Sequence, residues 1–94
     1  MSDGPAPQTP HSALRDRLLR LVAQILGKPE AAGTIPADAR LSELGMSSIK
    51  MVNLMLAVEV EFDLTIPQND ITPETFRSVA SVEEMLTRLL AAKG

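Results

Sequence analysis

The segment from Leu44 to Phe62 constrains this chain most, because one helix there carries apolar residues on two faces. At about 100° per residue, Met51, Leu54, Met55, Val58 and Phe62 fall on one stripe, recurring at helical spacing. Ile49, Val52, Leu56 and Val60 form a second stripe, roughly 145° round from the first. One stripe suffices to dock a helix on a small bundle. The second requires either burial on both sides, against the long first loop, or a partner that covers it. Gly45, Met46, Ser47 and Ser48 lead into this helix as an exposed turn. Helix N-termini present unpaired N–H groups and the positive end of the dipole, so a phosphate attached there is well placed.

Two further windows repeat the helical pattern. Leu14, Leu18, Leu21, Val22 and Ile25 make an apolar stripe, with Ser12 as the expected N-cap and Gly27-Lys28-Pro29 as the stop. Arg15, Arg17 and Arg20 lie on the opposite side and read as its solvated face. Near the C-terminus, Ser81-Val82-Glu83-Glu84 reads as a capping box opening a helix with Val82, Met85, Leu86, Leu89 and Leu90 on one stripe. Between these lie a long connection, Glu30 to Glu43, pinned by Ile35, Leu41 and Leu44, and a short helical turn over Asp70 to Phe76. Thr72 is the expected cap of that turn, with Pro73 at its first position. Arg77 and Ser78 read as loop surface. The expected fold is all-α: a four-helix bundle with three main helices, one short helix and a long first loop. Residues 1–11, Pro-rich and without periodicity, read as a disordered tail with His11 as a surface residue, and 12–94 as the folded domain.

Composition narrows function by exclusion. The chain has 94 residues, no cysteine, one histidine and a formal charge of −3. That leaves no thiolate nucleophile, no Cys-based metal site and little material for a metal centre or a histidine base. No basic patch with interleaved aromatics suggests nucleic acid as a partner, and no apolar run approaches membrane-spanning length. The expectation is a cytoplasmic, monomeric protein with no catalytic residues, no metal and no membrane or nucleic-acid partner. A free-standing enzyme is disfavoured because no paired carboxylates or nucleophile–base set is visible.

The run Leu41-Ser42-Glu43-Leu44-Gly45-Met46-Ser47-Ser48-Ile49, followed by Glu59-Val60-Glu61-Phe62 and Leu64-Thr65-Ile66-Pro67, resembles the acyl and peptidyl carrier proteins. Their pattern is Gly-x-Asp-Ser-Leu at the start of the second helix, then a Glu-rich stretch ending in Phe and an Ile-Pro element. The resemblance covers Ser12 to Ala92. It implies that Ser48 receives 4′-phosphopantetheine from coenzyme A, with Gly45 as the turn glycine and Ser47 as the capping neighbour. It also implies a thioester cargo, acyl or aminoacyl, on that arm. The implied partners are a phosphopantetheinyl transferase, an acyl- or aminoacyl-loading ligase, and downstream synthase or transferase enzymes.

The chain departs from the pattern at Ser47, where Asp is usual. The Gly-x-Ser-Ser form resembles stand-alone carriers of activated amino acids and some carriers of secondary metabolism. A second departure is the loss of carboxylates along the second helix, where Lys50, Met51 and Asn53 stand and acids remain mainly at Glu59, Glu61 and Asp63. Met46, Ile49, Val52 and Leu56 are then the expected partner-binding residues, in an association that depends weakly on salt. Four of the methionines, Met46, Met51, Met55 and Met85, are otherwise read as core filler. The competing reading is a small helical interaction module of the same fold that is never modified, with Ser48 serving only the helix start.

Overall fold

The computed structural model describes residues 10–93, with side chains over 13–92. The expected tail lies almost wholly outside these residues. Three α-helices organise the chain: α1 (Pro10–Ile25), α2 (Ser48–Phe62) and α3 (Val79–Lys93). Among the described residues the rest is short 3₁₀ turns and irregular connections, with no strand. No helix among them is long and apolar enough to cross a membrane.

Each helix contributes the stripe its spacing foretells. Leu14, Leu18 and Val22 of α1, Leu54, Val58 and Phe62 of α2, and Val79, Val82, Met85 and Leu86 of α3 form one buried core. Leu41, Met46, Ile66 and Phe76 seal it from the connections. Burying a side chain of this size contributes about 1.5–3 kcal/mol, so this shared core holds the fold. It contains one aromatic pair of residues only, Phe62 and Phe76, and is otherwise aliphatic.

The helix ends show which local signals the chain uses. α1 starts at Pro10, two residues ahead of Ser12, because proline is well tolerated in a first helical turn. It stops as foreseen at Gly27, whose φ of +79° turns the chain. There the Lys28 N–H donates to the Ala23 carbonyl (2.8 Å) and the Gly27 N–H to Gln24 (3.0 Å). α2 ends the same way at Asp63, φ +52°, with the Leu64 N–H reaching the Glu59 carbonyl.

The connections hold local structure of their own. Within the long connection Pro29–Thr34 and Leu41–Leu44 wind into 3₁₀ turns. The short helical turn expected over 70–76 is a single turn: the Thr72 hydroxyl accepts the Thr75 N–H (3.1 Å) and the Thr72 carbonyl the Phe76 N–H (3.3 Å), with a 3₁₀ turn at Gln68–Asp70 just before it. The start of α3 brings a correction. The capping box sits one turn earlier than the Ser81–Glu84 pattern suggests. Ser78, 8% exposed, accepts the Ser81 N–H on its hydroxyl (3.2 Å), while the Ser81 hydroxyl accepts the Ser78 N–H (3.0 Å). Ser78 is therefore a cap and not loop surface. A serine replaces the usual Glu as the reciprocating partner, which is why the pattern pointed to the wrong turn.

The arginine face of α1 is also more than solvated. Arg15 donates to the carboxylate of Glu83 (Nε–Oε1 2.8 Å), a residue 4% exposed on α3. Arg17 pairs with Glu61 (2.9 Å) and stacks 4.4 Å above the Phe62 ring, tying α1 to the end of α2.

Ser78→Ala should cost about 1 kcal/mol of stability, the usual worth of an N-cap, whereas Glu84→Ala should stay within about 0.5 kcal/mol of the parent. Urea unfolding midpoints of the two variants check this; an equal loss in both would restore the later capping box.

Candidate functional site

The serine turn is built from the connection that precedes it. Leu41, fully buried, anchors the Leu41–Leu44 turn, and its N–H donates to the Arg77 carbonyl (2.8 Å). Gly45 then adopts φ +98°, a conformation that strains any L side chain although nothing lies within 4 Å of an added Cβ. That reversal lets the Met46 N–H return to the Leu41 carbonyl (3.1 Å) and drives the Met46 side chain into the core. Met46 is 5% exposed, so it is withdrawn from the partner-binding set. A methionine beside an exposed serine looked available, but the left-handed glycine aims it inward.

The two serines have different surroundings. Ser47 is the N-cap of α2: its hydroxyl accepts the Lys50 N–H (3.2 Å) and its carbonyl the Met51 N–H (2.8 Å). Ser48 is the first helical residue and is exposed, and none of the hydrogen bonds among the described residues uses its hydroxyl. The N–H groups of Ser48 and Ile49 lie in the first turn and have no intrahelical acceptor. An exposed hydroxyl thus stands at the positive end of a fifteen-residue helix.

The second stripe of α2 lies open. Ile49 is 75% exposed, Val52 51%, Leu56 56% and Val60 83%. The alternative that this stripe packs beneath the first loop does not hold in this structure. Val60 extends the surface by a turn beyond the three residues expected to bind partners. The acids of α2, by contrast, are committed within the chain: the Glu59 carboxylate accepts the Ile66 N–H (2.8 Å), and Glu61 pairs with Arg17. Ile49, Val52 and Leu56 lie along one exposed face of α2 that begins beside Ser48 and Gly45.

A groove of about 520 Å³ opens on the other side of Ser48, which sequence reasoning missed. Met51, Met55, Ile71 and Phe76 line it, with Arg40 and Arg77 among its polar residues. By helical angle Ser48 projects roughly 20° from Met55 and 40° from Val52, so it stands between groove and stripe. The signal for the groove was not local: Arg40 and Arg77 are brought together only by the bridge that joins their segments. Among the described residues, no three His, Asp or Glu side chains are grouped to hold a metal.

With that geometry in view, comparison with known proteins is informative. The model of a family described as a phosphopantetheine attachment site matches residues 16–86. Aminoacyl carrier protein 1 of Bradyrhizobium diazoefficiens is 48% identical over 73 residues, covering 78% of this chain and 81% of that protein. A chain from the crystal structure of Bradyrhizobium japonicum glycine:[carrier protein] ligase complexed with glycylated carrier protein is 49% identical. It superposes with a TM-score of 0.64 over 77% of this chain and 97% of that one. The solution structure of a holo acyl carrier protein from Nitrosomonas europaea, 22% identical, shares the fold, with a TM-score of 0.75 over 82% of this chain and 95% of that one.

Ser47→Ala should lower stability by about 1 kcal/mol through loss of the cap, while Ser48→Ala should change it by less than about 0.5 kcal/mol. Thermal unfolding of both variants tests the division of roles; a larger loss for Ser48→Ala would reverse it.

Proposed function

Because the chain belongs to the family defined by a phosphopantetheine attachment site, we propose that it is a discrete aminoacyl carrier protein whose 4′-phosphopantetheine arm is attached at Ser48. The single observation that supports this residue over its neighbour is the division of labour at the start of α2. The Ser47 hydroxyl is occupied as a cap, and the Ser48 hydroxyl is exposed and uncommitted. The residues present suit the group. A phosphodiester at Ser48 would lie by the Ser48 and Ile49 N–H groups and the helix dipole, with no acidic side chain in the first turn of α2 to oppose it. When bound, the arm supplies the thiol on which an acyl or aminoacyl group is held as a thioester.

The chain's own contribution is presentation. Gly45 and the buried Leu41 fix the turn, so Ser48 is offered in one geometry to the transferase. Ile49, Val52 and Leu56, one turn apart beside it, form the surface on which a transferase, a loading ligase and a downstream enzyme dock in succession. Since Glu59 and Glu61 are engaged internally, that docking is chiefly apolar and depends little on salt. On this reading the carrier itself supplies no catalytic group and works in the cytoplasm. The proteins named in the comparison complexes, a glycine:[carrier protein] ligase with its glycylated carrier, suggest an amino acid as cargo and a ligase of that kind as the loading partner. The unmodified-module reading lacks an observation of its own, because Ser47 does the capping that the usual Asp would do.

Incubating the phosphopantetheinylated protein with labelled glycine, ATP and a carrier-protein ligase should give a hydroxylamine-labile adduct. Ser48→Ala should abolish it and Ser47→Ala should not; loss only in the Ser47 variant would overturn the assignment. Leu56→Asp should weaken ligase binding by roughly ten-fold or more, as for a residue central to an apolar interface, while Glu61→Gln leaves it nearly unchanged by calorimetry. Equal affinities for the two variants would count against apolar docking.

A further inference from the structure

We propose that the groove beside Ser48 discriminates by charge at the tip of the arm, seating it when the tip is neutral and turning it out when the tip is an α-ammonium. The inference rests on Ser48 as the attachment residue, and Arg40 and Arg77 are the residues that discriminate. The groove's size of about 520 Å³ falls within the range of small-ligand sites. Its walls from Met51, Met55, Ile71 and Phe76 suit an apolar stem, and methionine side chains adapt readily to irregular shapes. Ser48 stands within one turn of Met51 on the same helix, so an arm tethered there needs no other anchor.

The charge on this groove is of one sign. The Arg40–Ser78 bridge and the bond from the Leu41 N–H to the Arg77 carbonyl bring the two arginine backbones side by side. Both side chains are exposed and line the groove. Arg15, Arg17 and Arg88 each have a carboxylate partner, whereas neither Arg40 nor Arg77 meets one among the described residues. Glu43 and Glu74 lie on the adjoining turns, but no acidic side chain lines the groove. Two guanidinium groups beside an apolar floor raise the potential there, which penalises a further cation and leaves a neutral group untouched.

The unloaded arm ends in a thiol that is neutral near pH 7, and an acetyl thioester is also neutral. An aminoacyl thioester carries an α-ammonium. Loading with an amino acid would therefore expel the arm and display the cargo to the next enzyme, whereas a simple acyl group would remain partly hidden. On this account the groove separates two classes of cargo by charge, with size playing little part.

Methyl-labelled methionine reports on the groove without any activity assay. The protein would be modified from coenzyme A, acetyl-coenzyme A or glycyl-coenzyme A and studied at about pH 6, below the roughly 7.7 of an ordinary α-amino group. The Met51 and Met55 methyl signals should shift from the unmodified to the thiol form and stay shifted in the acetyl form. They should return towards the unmodified positions in the glycyl form, with Met85, buried on α3, as the fixed reference. In Arg40→Glu/Arg77→Glu the glycyl form should keep the shifted positions. Identical acetyl and glycyl spectra in the parent protein would overturn the proposal, and that comparison needs no variant. An adduct on Ser48 with unmoved groove methyls overturns this inference alone; a chain that takes no adduct overturns the attachment reading as well.

Discussion

The bond from the Leu41 N–H to the Arg77 carbonyl, made over a fully buried Leu41 side chain, is the constraint on which the rest of the structure depends. It stitches the end of the first connection to the residue before the Ser78 cap of α3. From the same leucine, the Leu41 carbonyl holds Met46 and closes the turn through the left-handed Gly45. The start of α2 is thereby fixed to two other elements before its own first residue is reached. A parallel bond from the Ala80 N–H to the Ala37 carbonyl (2.8 Å) reinforces the seam. Each such bond contributes only about 1 kcal/mol net, but together they decide where the exposed serine points.

From this seam follows the division of α2 into three faces. One face supplies Leu54, Val58 and Phe62 to the core. A second displays Ile49, Val52, Leu56 and Val60 to solvent, an unusual commitment for an exposed helix face. Ser48 lies between that open stripe and the arginine-bearing groove. The carboxylates that would ordinarily make such a helix acidic are used to hold the molecule together: Glu59 fixes the Ile66 backbone and Glu61 joins Arg17. Ser47 shows the same economy at the other end, since its hydroxyl makes the capping bond without adding a charge beside the exposed Ser48.

Much of this was legible in the chain, and the reasons are physical. Both stripes of α2, the stop at Gly27 and the cap at Ser47 depend on spacing within a few residues, and each is where its pattern places it. Features that depend on distant partners were not legible. Met46 looked available beside Ser48, yet Gly45 turns it into a core assembled from all three helices. Arg15 read as solvated until α3 brought Glu83 beneath it. The Ser78–Ser81 box escaped because serine stands where the pattern asks for Glu, and the groove escaped because Arg40 and Arg77 are 37 residues apart in the sequence. Local chemistry was readable; the pairing of segments was not.

The central claim is that the chain presents one particular hydroxyl for modification. Intact mass after incubation with coenzyme A and a promiscuous phosphopantetheinyl transferase, followed by fragmentation to place the adduct, tests it most directly. The account predicts a single phosphopantetheine adduct carried by the fragment containing Ser48 and localised to that residue. An adduct on Ser47, or none under conditions that modify a control carrier protein, would contradict it.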